Sequence, residues 1–427
     1  MKRQLAVLCA CAAAAAAVFS TAVSASPGVQ FGIHDDAWLL YGPGTLQQRL
    51  DQLQQLGVDI VRVSIHWNDV APTKPERALA SSDPAYHWAA YDAVLNGLRA
   101  RGIGSVVTLL GTPGWANHGS RPNVVPSSPT FFADFAYAAA KRYSFVRDWL
   151  VWNEPNQKLG LSTPSPRVYV TQLLNPAYAA IHRANPHALV AGGVTAPRGN
   201  TGGVGPLAWI RGMKAAHARL DAYAHHPYPA RPTAETPFTG ACATCDTISM
   251  ANLPRLLKEV RQDFGNKPVW LTEYAYQTNP PDHVLGVSPA LQAAYIGQSA
   301  LRAYEEPGVT MLIQFLVRDE PNLARFQSGL FTVAGVAKPS ASAFPYPLAQ
   351  VSRTGSRVTV WGQVRPRRGA QPYRLQVSVG GRWTWSGGTM QTSSLGFLSR
   401  AVVAPRGALV RIWSARDAAF GWPIVVR

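Results

Sequence analysis

The sequence predicts an α/β fold, a (β/α)8 TIM barrel followed by a small antiparallel β domain. Between Val29 and about Phe344, short apolar runs rich in β-branched residues alternate with longer amphipathic stretches, which is the pattern of repeated βα units. After Pro345 the pattern changes to apolar and polar alternation between Gly and Pro turns, which is typical of antiparallel strands. With 427 residues and 47% apolar content, the chain is long enough for both units.

Parallel strands are predicted at eight places in the first unit. They are Gln30–His34, Asp59–His66, Gly104–Leu110, Val146–Trp152, Ala188–Gly193, Arg219–His225, Pro268–Glu273 and Val309–Phe315. A short further strand, Ala337–Phe344, is expected to close the set. Eight βα units favour a closed barrel over an open sheet. The turn after the first strand, Ile33–Asp36, also lacks the glycines of a phosphate-binding turn.

Helix boundaries are marked by capping residues. After the first strand, leucines fall on one helical face: Leu46, Leu50, Leu53 and Leu56. Thr45–Gln48 has the form of a capping box, and Gly57 stands where a helix ends. Later helices are expected to start at the Ser-Pro pairs Ser128–Pro129, Ser165–Pro166 and Ser288–Pro289.

Residues 1–25 have the features of a secretory signal peptide. Lys2 and Arg3 precede an apolar run from Leu5 to Val18, and small residues lead to a cleavage site after Ala25. A retained membrane anchor is the alternative, but the run is short for a membrane span and no later segment qualifies. We therefore expect a secreted protein, extracellular, cell-surface associated or periplasmic, whose barrel domain covers residues 26–346.

Residues 347–427 are predicted to form a basic, β-sandwich-like accessory domain. Its expected strands are Arg357–Gln363, Tyr373–Val379, Arg382–Trp385, Ala401–Val403 and Ala408–Trp413. From Val351 to Arg427 there are twelve arginines, no lysine and one acid, Asp417, so this segment carries +11 of the chain's +17.

Such a charge attracts polyanions, and we expect the domain to bind an anionic polymer or surface. Its tryptophans are candidates for sugar stacking: Trp361, Trp383, Trp385, Trp413 and Trp422. The alternative is a structural cap on the barrel with an incidentally basic surface. Nucleic acid is not an expected partner of a secreted protein.

The mature chain keeps two cysteines, Cys242 and Cys245, in a loop rich in Pro, Thr and Gly. In an oxidising compartment they are expected to form a short-loop disulfide. A redox-active pair is the alternative, because Cys-x-x-Cys is the thioredoxin spacing, but the strand-to-helix context of that motif is missing. Two cysteines alone do not make a structural zinc site.

Two glutamates end predicted strands. In a barrel of this type the working residues lie at the carboxyl ends of the strands. Glu154 follows the apolar run Trp149–Trp152, and Glu273 follows Trp270–Thr272. A carboxylate there is unfavourable unless it is used, because burial disfavours the charged form. Glycoside cleavage uses such a pair, in which one carboxyl protonates the leaving oxygen and the other attacks the anomeric carbon.

These motifs resemble clan A of the retaining glycoside hydrolases, in the manner of families 39 and 5. The matching residues are Trp152-Asn153-Glu154-Pro155 on strand four and Thr272-Glu273 on strand seven, within a resemblance that covers about residues 31–344. It implies that Glu154 is the acid/base, that Glu273 is the nucleophile and that Asn153 binds the sugar 2-hydroxyl.

The clan also keeps an arginine at the end of strand two and a His-x-Tyr motif at strand six. Arg62 and His226-Pro227-Tyr228 match these positions. Arg62 and the Tyr228 hydroxyl are expected to hold Glu273 ionised. Glu154 faces a like charge and is partly desolvated, so it is expected to stay protonated until it acts as the acid.

Further strand-end residues are candidates for substrate contact, namely His66, Trp115 and Phe315. Clan members usually place a tryptophan at the end of strand eight, whereas this chain has Phe315, with Arg318 or Asp319 available for a sugar substituent. Aromatic residues expected near the strand ends could also stack on sugars, with ordinary packing as the alternative: Trp38, Trp67, Trp115 and Tyr276.

Two other functions compete with glycoside cleavage. His34-Asp35-Asp36 and His225-His226 suggest a metal-dependent hydrolase, but neither cluster has a tight ligand spacing such as His-x-His, so no metal or cofactor is expected. A barrel that has lost turnover and binds carbohydrate or a cell surface is the second alternative. The expected function is a secreted retaining glycosidase that cleaves β-linked O-glycosidic bonds in a poly- or oligosaccharide.

Overall fold

The computed structural model describes residues 26–427, and their first part is a closed barrel of eight parallel strands in chain order, with the last strand paired to the first. The strands are β1 (Gln30–His34), β2 (Ile60–His66), β3 (Gly104–Leu110), β4 (Asp148–Val151), β5 (Leu189–Thr195), β6 (Ala222–His225), β7 (Val269–Tyr274) and β8 (Val309–Phe315). The predicted barrel is confirmed, and all eight predicted strands overlap the observed ones. The predicted signal peptide, residues 1–25, lies outside the described residues.

At least one helix follows every barrel strand. The helices are α1 (Asp36–Tyr41), α2 (Leu46–Gln55), α3 (Trp67–Val70), α4 (Ala89–Ala100), α5 (Pro129–Arg142), α6 (Pro166–Tyr169), α7 (Asn175–Ala184), α8 (Pro206–Ala215), α9 (Pro254–Phe264), α10 (Pro289–Glu305) and α11 (Pro339–Ala343). Short 3₁₀ turns occupy Gly114–Ala116 and Met250–Asn252, and a π-helical turn at Val170–Leu174 joins α6 to α7.

The predicted caps are present. Thr45 and Gln48 form a reciprocal capping box on α2, and the hydroxyls of Ser128, Ser165 and Ser288 each accept a backbone N–H of the helix that follows. No helix within residues 26–427 is long and apolar enough to cross a membrane.

The strand predicted at Ala337–Phe344 is wrong, because this segment contains α11. Pro339 occupies the first turn of the helix, a position that suits proline because the missing N–H would have no partner there. A further barrel strand would also have no place, since β8 pairs directly with β1 from Gln30↔Met311 to His34↔Phe315.

The barrel lumen is filled by side chains rather than open. Ten buried residues form this inner cluster: Ile60, Val106, Leu150, Ala191, Val194, Ala222, Ala224, Trp270, Met311 and Ile313. A larger apolar cluster lies between the strands and the surrounding helices. The packed lumen closes the barrel below the strand ends and leaves space only above them.

The C-terminal domain consists of two antiparallel sheets that enclose an apolar core of their own. Its strands are β9 (Leu348–Thr354), β10 (Arg357–Gln363), β11 (Pro372–Val379), β12 (Arg382–Trp385), β13 (Met390–Gln391), β14 (Phe397–Val403), β15 (Leu409–Ser414), β16 (Ala419–Phe420) and β17 (Ile424–Val425). One sheet has the order β14-β10-β9; the other has β12-β11-β15-β16, with β13 on β11 and β17 on β15.

This domain packs tightly against the barrel. Trp361 is buried in the barrel's outer apolar cluster and packs on Tyr304, 5.2 Å between ring centroids. The buried Arg365 guanidinium lies over the rings of Phe31 and Phe344, at 4.1 and 4.5 Å. The contact supports a capping role for this side of the domain, and Trp361 is therefore a packing residue.

Candidate active site

A cavity of about 1000 Å³ opens at the carboxyl ends of the barrel strands. It brings together most of the residues that the sequence singled out: Arg62, His66, Asn153, Glu154, Tyr228, Glu273 and Phe315. His226, fully buried, contacts several of them from below the cavity surface.

Glu154 lies just beyond β4, where the backbone takes an uncommon course. The φ angles of Trp152 and Glu154 are +69° and +44°, in the left-handed region, which costs a residue other than glycine about 1–3 kcal/mol. The Trp152 indole donates to the Gly160 carbonyl at 2.7 Å, and the Glu154 amide donates to the Val194 carbonyl at 2.9 Å. These bonds hold the backbone that presents the Glu154 carboxyl to the cavity.

Glu273, near the end of β7, accepts a hydrogen bond at each carboxylate oxygen. Arg62 Nη1 donates to Oε1 at 2.6 Å, and the Tyr228 hydroxyl donates to Oε2 at 3.1 Å. Burial, together with the negative charge of Glu273, raises the pKa of Tyr228 well above its usual value, so the hydroxyl keeps its proton and remains a donor. Glu273 thus receives hydrogen bonds from one charged and one neutral donor.

Arg62 connects the two halves of the site. Its side chain is only 1% exposed, and besides Glu273 it donates from Nη2 to Asn153 Oδ1 at 2.7 Å and from Nε to Thr108 Oγ1 at 2.9 Å. Because the Asn153 oxygen is used by Arg62, its amide nitrogen is the group left to donate to a substrate hydroxyl.

His226 links Glu154 to the Arg62 side of the site. Its Nδ1 lies 2.9 Å from Glu154 Oε1, and its Nε2 lies 3.1 Å from Thr272 Oγ1 and 3.3 Å from Arg62 Nη1. Burial lowers the pKa of His226 to about 3, so the ring is neutral near pH 7.

Burial also raises the pKa of Glu154, from 4.5 to about 7, against the opposing charge of Arg62. The carboxyl is 25% exposed, within the cavity. Near neutral pH it therefore holds a proton that it can give away, as a general acid requires.

The two glutamates face each other closely. Ligand atoms of Glu154, His226 and Glu273 all lie within 4.8 Å of one another. One oxygen of each carboxyl thus lies nearer to the other than the separation of about 6.5–9.5 Å between the carboxyls of inverting enzymes, which fits a retaining pair. The same three residues would be close enough to hold a cation, but the fixed positive charge of Arg62 already compensates Glu273.

His34, at the end of β1, is a cavity residue that the sequence suggested only as a metal ligand. Its Nε2 lies 2.9 Å from Asp36 Oδ2, and its buried Nδ1 has no hydrogen-bond partner within residues 26–427. Its ring packs on Phe315 at 5.3 Å between centroids. Phe326, also in the cavity wall, packs edge-on against Phe315 at 4.9 Å, and nothing in its irregular loop could have indicated this position.

Several sequence candidates do not reach the cavity. Trp115 donates its indole N–H to the Ala71 carbonyl and packs on Trp67, and it is absent from the described residues that line the cavity. The aromatic residues Trp38, Trp67 and Tyr276 are buried, so packing is the correct reading for them. Asp319 forms a buried ion pair with Lys338 at 2.7 Å and is not available to a substrate.

His225 and the pair Cys242 and Cys245 make contacts within the protein and are not part of the cavity wall formed by residues 26–427. His225 is a core residue, with Nδ1 2.8 Å from Thr195 Oγ1 and Nε2 3.0 Å from the Ile248 carbonyl. The predicted disulfide is not formed in the structure, where Cys242 and Cys245 are free thiols and the Cys245 amide donates to Cys242 Sγ at 3.1 Å.

A (β/α)8 barrel with this pair of carboxyls at strands four and seven defines a glycoside hydrolase. The family model described as Cellulase (glycosyl hydrolase family 5) matches residues 19–296, about two thirds of the chain and including both glutamates. The chain therefore belongs to glycosyl hydrolase family 5 and is a glycosidase.

Solved structures share the fold at low sequence identity. A family 39 glycoside hydrolase from Bacteroides cellulosilyticus WH2 is 17% identical over 88% of this chain and 81% of its own, with a TM-score of 0.61. A glucosidase from Croceicoccus marinus is 12% identical over 91% and 95%, with a TM-score of 0.60. A β-glucosidase from Exiguobacterium marinum is 14% identical over 74% and 96%, with a TM-score of 0.53. No curated protein matches the chain.

Proposed function

We propose that the protein hydrolyses β-linked O-glycosidic bonds with retention of anomeric configuration. The main support for this proposal is that one carboxyl oxygen of Glu154 and one of Glu273 lie within 4.8 Å of each other. The two carboxyls also differ in their hydrogen-bond donors and in the effect of burial. The β-glucosidase named among the structures of this fold is consistent with a β-linked substrate.

In the first step, the Glu273 carboxylate attacks the anomeric carbon while the bond to the leaving oxygen breaks. Glu154 gives its proton to that oxygen, and a covalent glycosyl ester on Glu273 results. Ester formation removes the negative charge of Glu273. Glu154 can then remain ionised and take a proton from water, whose oxygen attacks the anomeric carbon and releases Glu273.

The test is proton NMR of the first product formed from a panel of aryl β-glycosides. We expect the β-anomer to form first and to mutarotate afterwards. Initial appearance of the α-anomer would show inversion and would overturn the double-displacement assignment. If no glycoside or polysaccharide is cleaved while the protein binds them, the alternative of a carbohydrate-binding barrel without turnover would hold.

We also propose that the protein is exported and that the signal sequence is removed after Ala25. The basic, apolar and small-residue segments of positions 1–25 support this. The mass of the protein recovered outside the cytoplasm should match a chain that starts at Ser26. Recovery of the full-length chain only from the cytoplasm would contradict export.

The proposal includes an accessory role for the C-terminal domain as a binder of anionic polymers or surfaces. Its charge of +11 over residues 351–427 supports attraction to polyanions that weakens with salt. Retention on a carboxylated matrix at low salt, lost when salt is added, is the expected result.

A further inference from the structure

The outer surface of the second sheet of the C-terminal domain carries a cluster of aromatic and arginine side chains, which we call the aromatic face. Its members are Arg374, Trp383, Trp385, Arg411, Trp413 and Phe420. They are cross-strand neighbours: Gln376 on β11 pairs with both Trp385 and Arg411, while Trp413 on β15 pairs with both Arg374 and Phe420.

The members hold one another in place by stacking. The Arg411 guanidinium lies 4.0 Å from the Trp383 ring centroid and 3.7 Å from that of Phe420, and the Arg374 guanidinium lies 3.8 Å from that of Trp385. Gln376 Oε1 accepts from Nε and Nη2 of Arg411 at 2.9 and 2.7 Å, which fixes the plane of that guanidinium. The rings are therefore ordered before any ligand arrives.

The aromatic face is not needed to fill the domain core. Alternate residues of the same strands point inward and already supply that core, including Leu375, Val410 and Ile412, each of them 0% exposed. By contrast, Trp385 and Phe420 are 41% and 37% exposed. A patch of large aromatic residues left in contact with water marks an interaction surface.

We propose that the aromatic face is a second, non-catalytic carbohydrate site, and that its ligand is an acidic polysaccharide. Indole and phenyl rings present flat apolar surfaces to the C–H faces of pyranose rings. Arginine pairs with carboxylates through its planar fork, and both arginines of the face have neither a salt bridge nor an acidic partner among residues 26–427.

An acidic glycan suits this surface better than a lipid bilayer does. The rings are stacked on guanidinium groups along a sheet, whereas peripheral membrane binding uses apolar side chains that project from an amphipathic helix into the lipid. The domain's charge of +11 over residues 351–427 favours an anionic chain over a neutral one.

The experiment measures binding of the full mature chain to polygalacturonate, a carboxylated polysaccharide. A Glu273→Gln background prevents turnover, so the result does not depend on the proposed hydrolytic activity. We expect Trp385→Ala to weaken binding about tenfold, and Arg411→Gln to weaken it and reduce its salt dependence. Binding to polyglutamate, which has the charge but no sugar rings, should be affected by Arg411→Gln far more than by Trp385→Ala.

Two variants in the same domain serve as matched controls. Val403→Ala changes an apolar side chain that is 73% exposed on the other sheet, and Arg406→Gln changes an arginine in the exposed turn before β15. Both should bind like the parent, and thermal unfolding should show that all variants are folded. Unchanged binding by the folded double variant Trp385→Ala, Phe420→Ala would overturn the proposal. Equal binding to a neutral β-glucan, or aromatic-face-dependent binding only to vesicles of phosphatidylglycerol, would overturn the assignment of an acidic polysaccharide.

Discussion

The two sides of the cavity each hold a glutamate, Glu273 on one and Glu154 on the other, in opposite surroundings. Glu273 receives a hydrogen bond from the Arg62 cation and another from the Tyr228 hydroxyl. Glu154 has no cationic donor at hydrogen-bond distance among residues 26–427; it shares a 2.9 Å hydrogen bond with the neutral His226 ring, and burial raises its pKa to about 7. Donors and desolvation, and not residue type, therefore suit Glu273 to the proposed role of nucleophile and Glu154 to that of acid.

The largest effect is expected on the Glu273 side. Glu273→Gln removes the attacking carboxylate, and hydrolysis should fall by on the order of 10⁵-fold or more, because no other carboxylate can take its place against the anomeric carbon. Steady-state rates on aryl β-glycosides measure this. Glu320→Gln, a matched change in the cavity wall, should keep the rate within a few fold. Near-normal turnover by Glu273→Gln would remove this residue from the nucleophile role.

A smaller and more selective loss is expected on the Glu154 side. Glu154→Gln removes the proton donor, which contributes about 10²–10⁴-fold. Measured as kcat/KM, the loss should be largest for poor leaving groups and slight for dinitrophenyl glycosides, which leave without protonation; kcat on dinitrophenyl glycosides should still fall, because the base of the second step is lost. In Glu154→Ala, where the shorter side chain leaves room for the anion, azide should partly restore turnover of the dinitrophenyl glycoside and give a β-glycosyl azide, which mass and NMR spectra identify. Equal losses for good and poor leaving groups, without azide rescue, would contradict the acid/base role.

Sequence patterns predicted the barrel and the meeting of Glu154 and Glu273 in one cavity because both depend on local signals. The capping residue Thr45 and the serine caps set helix starts, and apolar strands ending in Glu154 and Glu273 mark the active face. The hydrogen bonds of Arg62 to Asn153 and Glu273 connect β2 with the end of β4 and with β7, which are far apart in the sequence. No local pattern predicts such contacts, and only the resemblance to a known family suggested them.

The errors arose where long-range packing decides the structure. The run Ala337–Phe344 is apolar enough for a strand, but the barrel is already closed and Pro339 starts a helix. Trp115 and Trp361 are aromatic residues at suggestive positions, yet both are used in packing. Phe326 enters the cavity from a loop without periodicity, which no local pattern could place.

The contrast in protonation gives a pH-dependent prediction of intermediate size. Glu154 must be protonated in the free enzyme, so kcat/KM should fall tenfold per pH unit above an apparent pKa of about 7. In Glu154→Gln, assayed with a dinitrophenyl glycoside, this alkaline limb should be absent. If the alkaline fall in kcat/KM persisted unchanged in the variant, it would reflect the titration of a group other than Glu154.

The same pKa shift affects stability with a definite sign. Between pH 4.5, the ordinary value, and about 7, the folded protein holds a proton on Glu154 that the unfolded chain has lost. Stability should therefore decrease as pH rises through this window, by up to about 3 kcal/mol from this group. Glu154→Gln should unfold at a higher temperature than the parent at pH 8 and show less difference at pH 4, as differential scanning calorimetry can measure. A variant less stable than the parent at pH 8 would contradict the free-energy cost of burying the ionised Glu154 carboxylate.

The smallest effect is expected from Tyr228→Phe, which alters the Glu273 side alone. The substitution removes the 3.1 Å hydrogen bond to Glu273 Oε2 while the ring, 6.4 Å from that of Phe315, can keep its packing. A hydrogen bond to a charged acceptor is worth about 1.5–3 kcal/mol, so kcat/KM should fall about ten- to a hundredfold. The alkaline limb should stay near pH 7, because it belongs to Glu154 and His226 remains in place.

Tyr276→Phe is the matched control, since that hydroxyl donates to the Glu235 carbonyl at 2.9 Å and its ring is absent from the described cavity wall. If Tyr228→Phe moved the limb by a full unit and left the rate unchanged, the hydroxyl would act on Glu154, and the division of the cavity into two independent sides would be wrong.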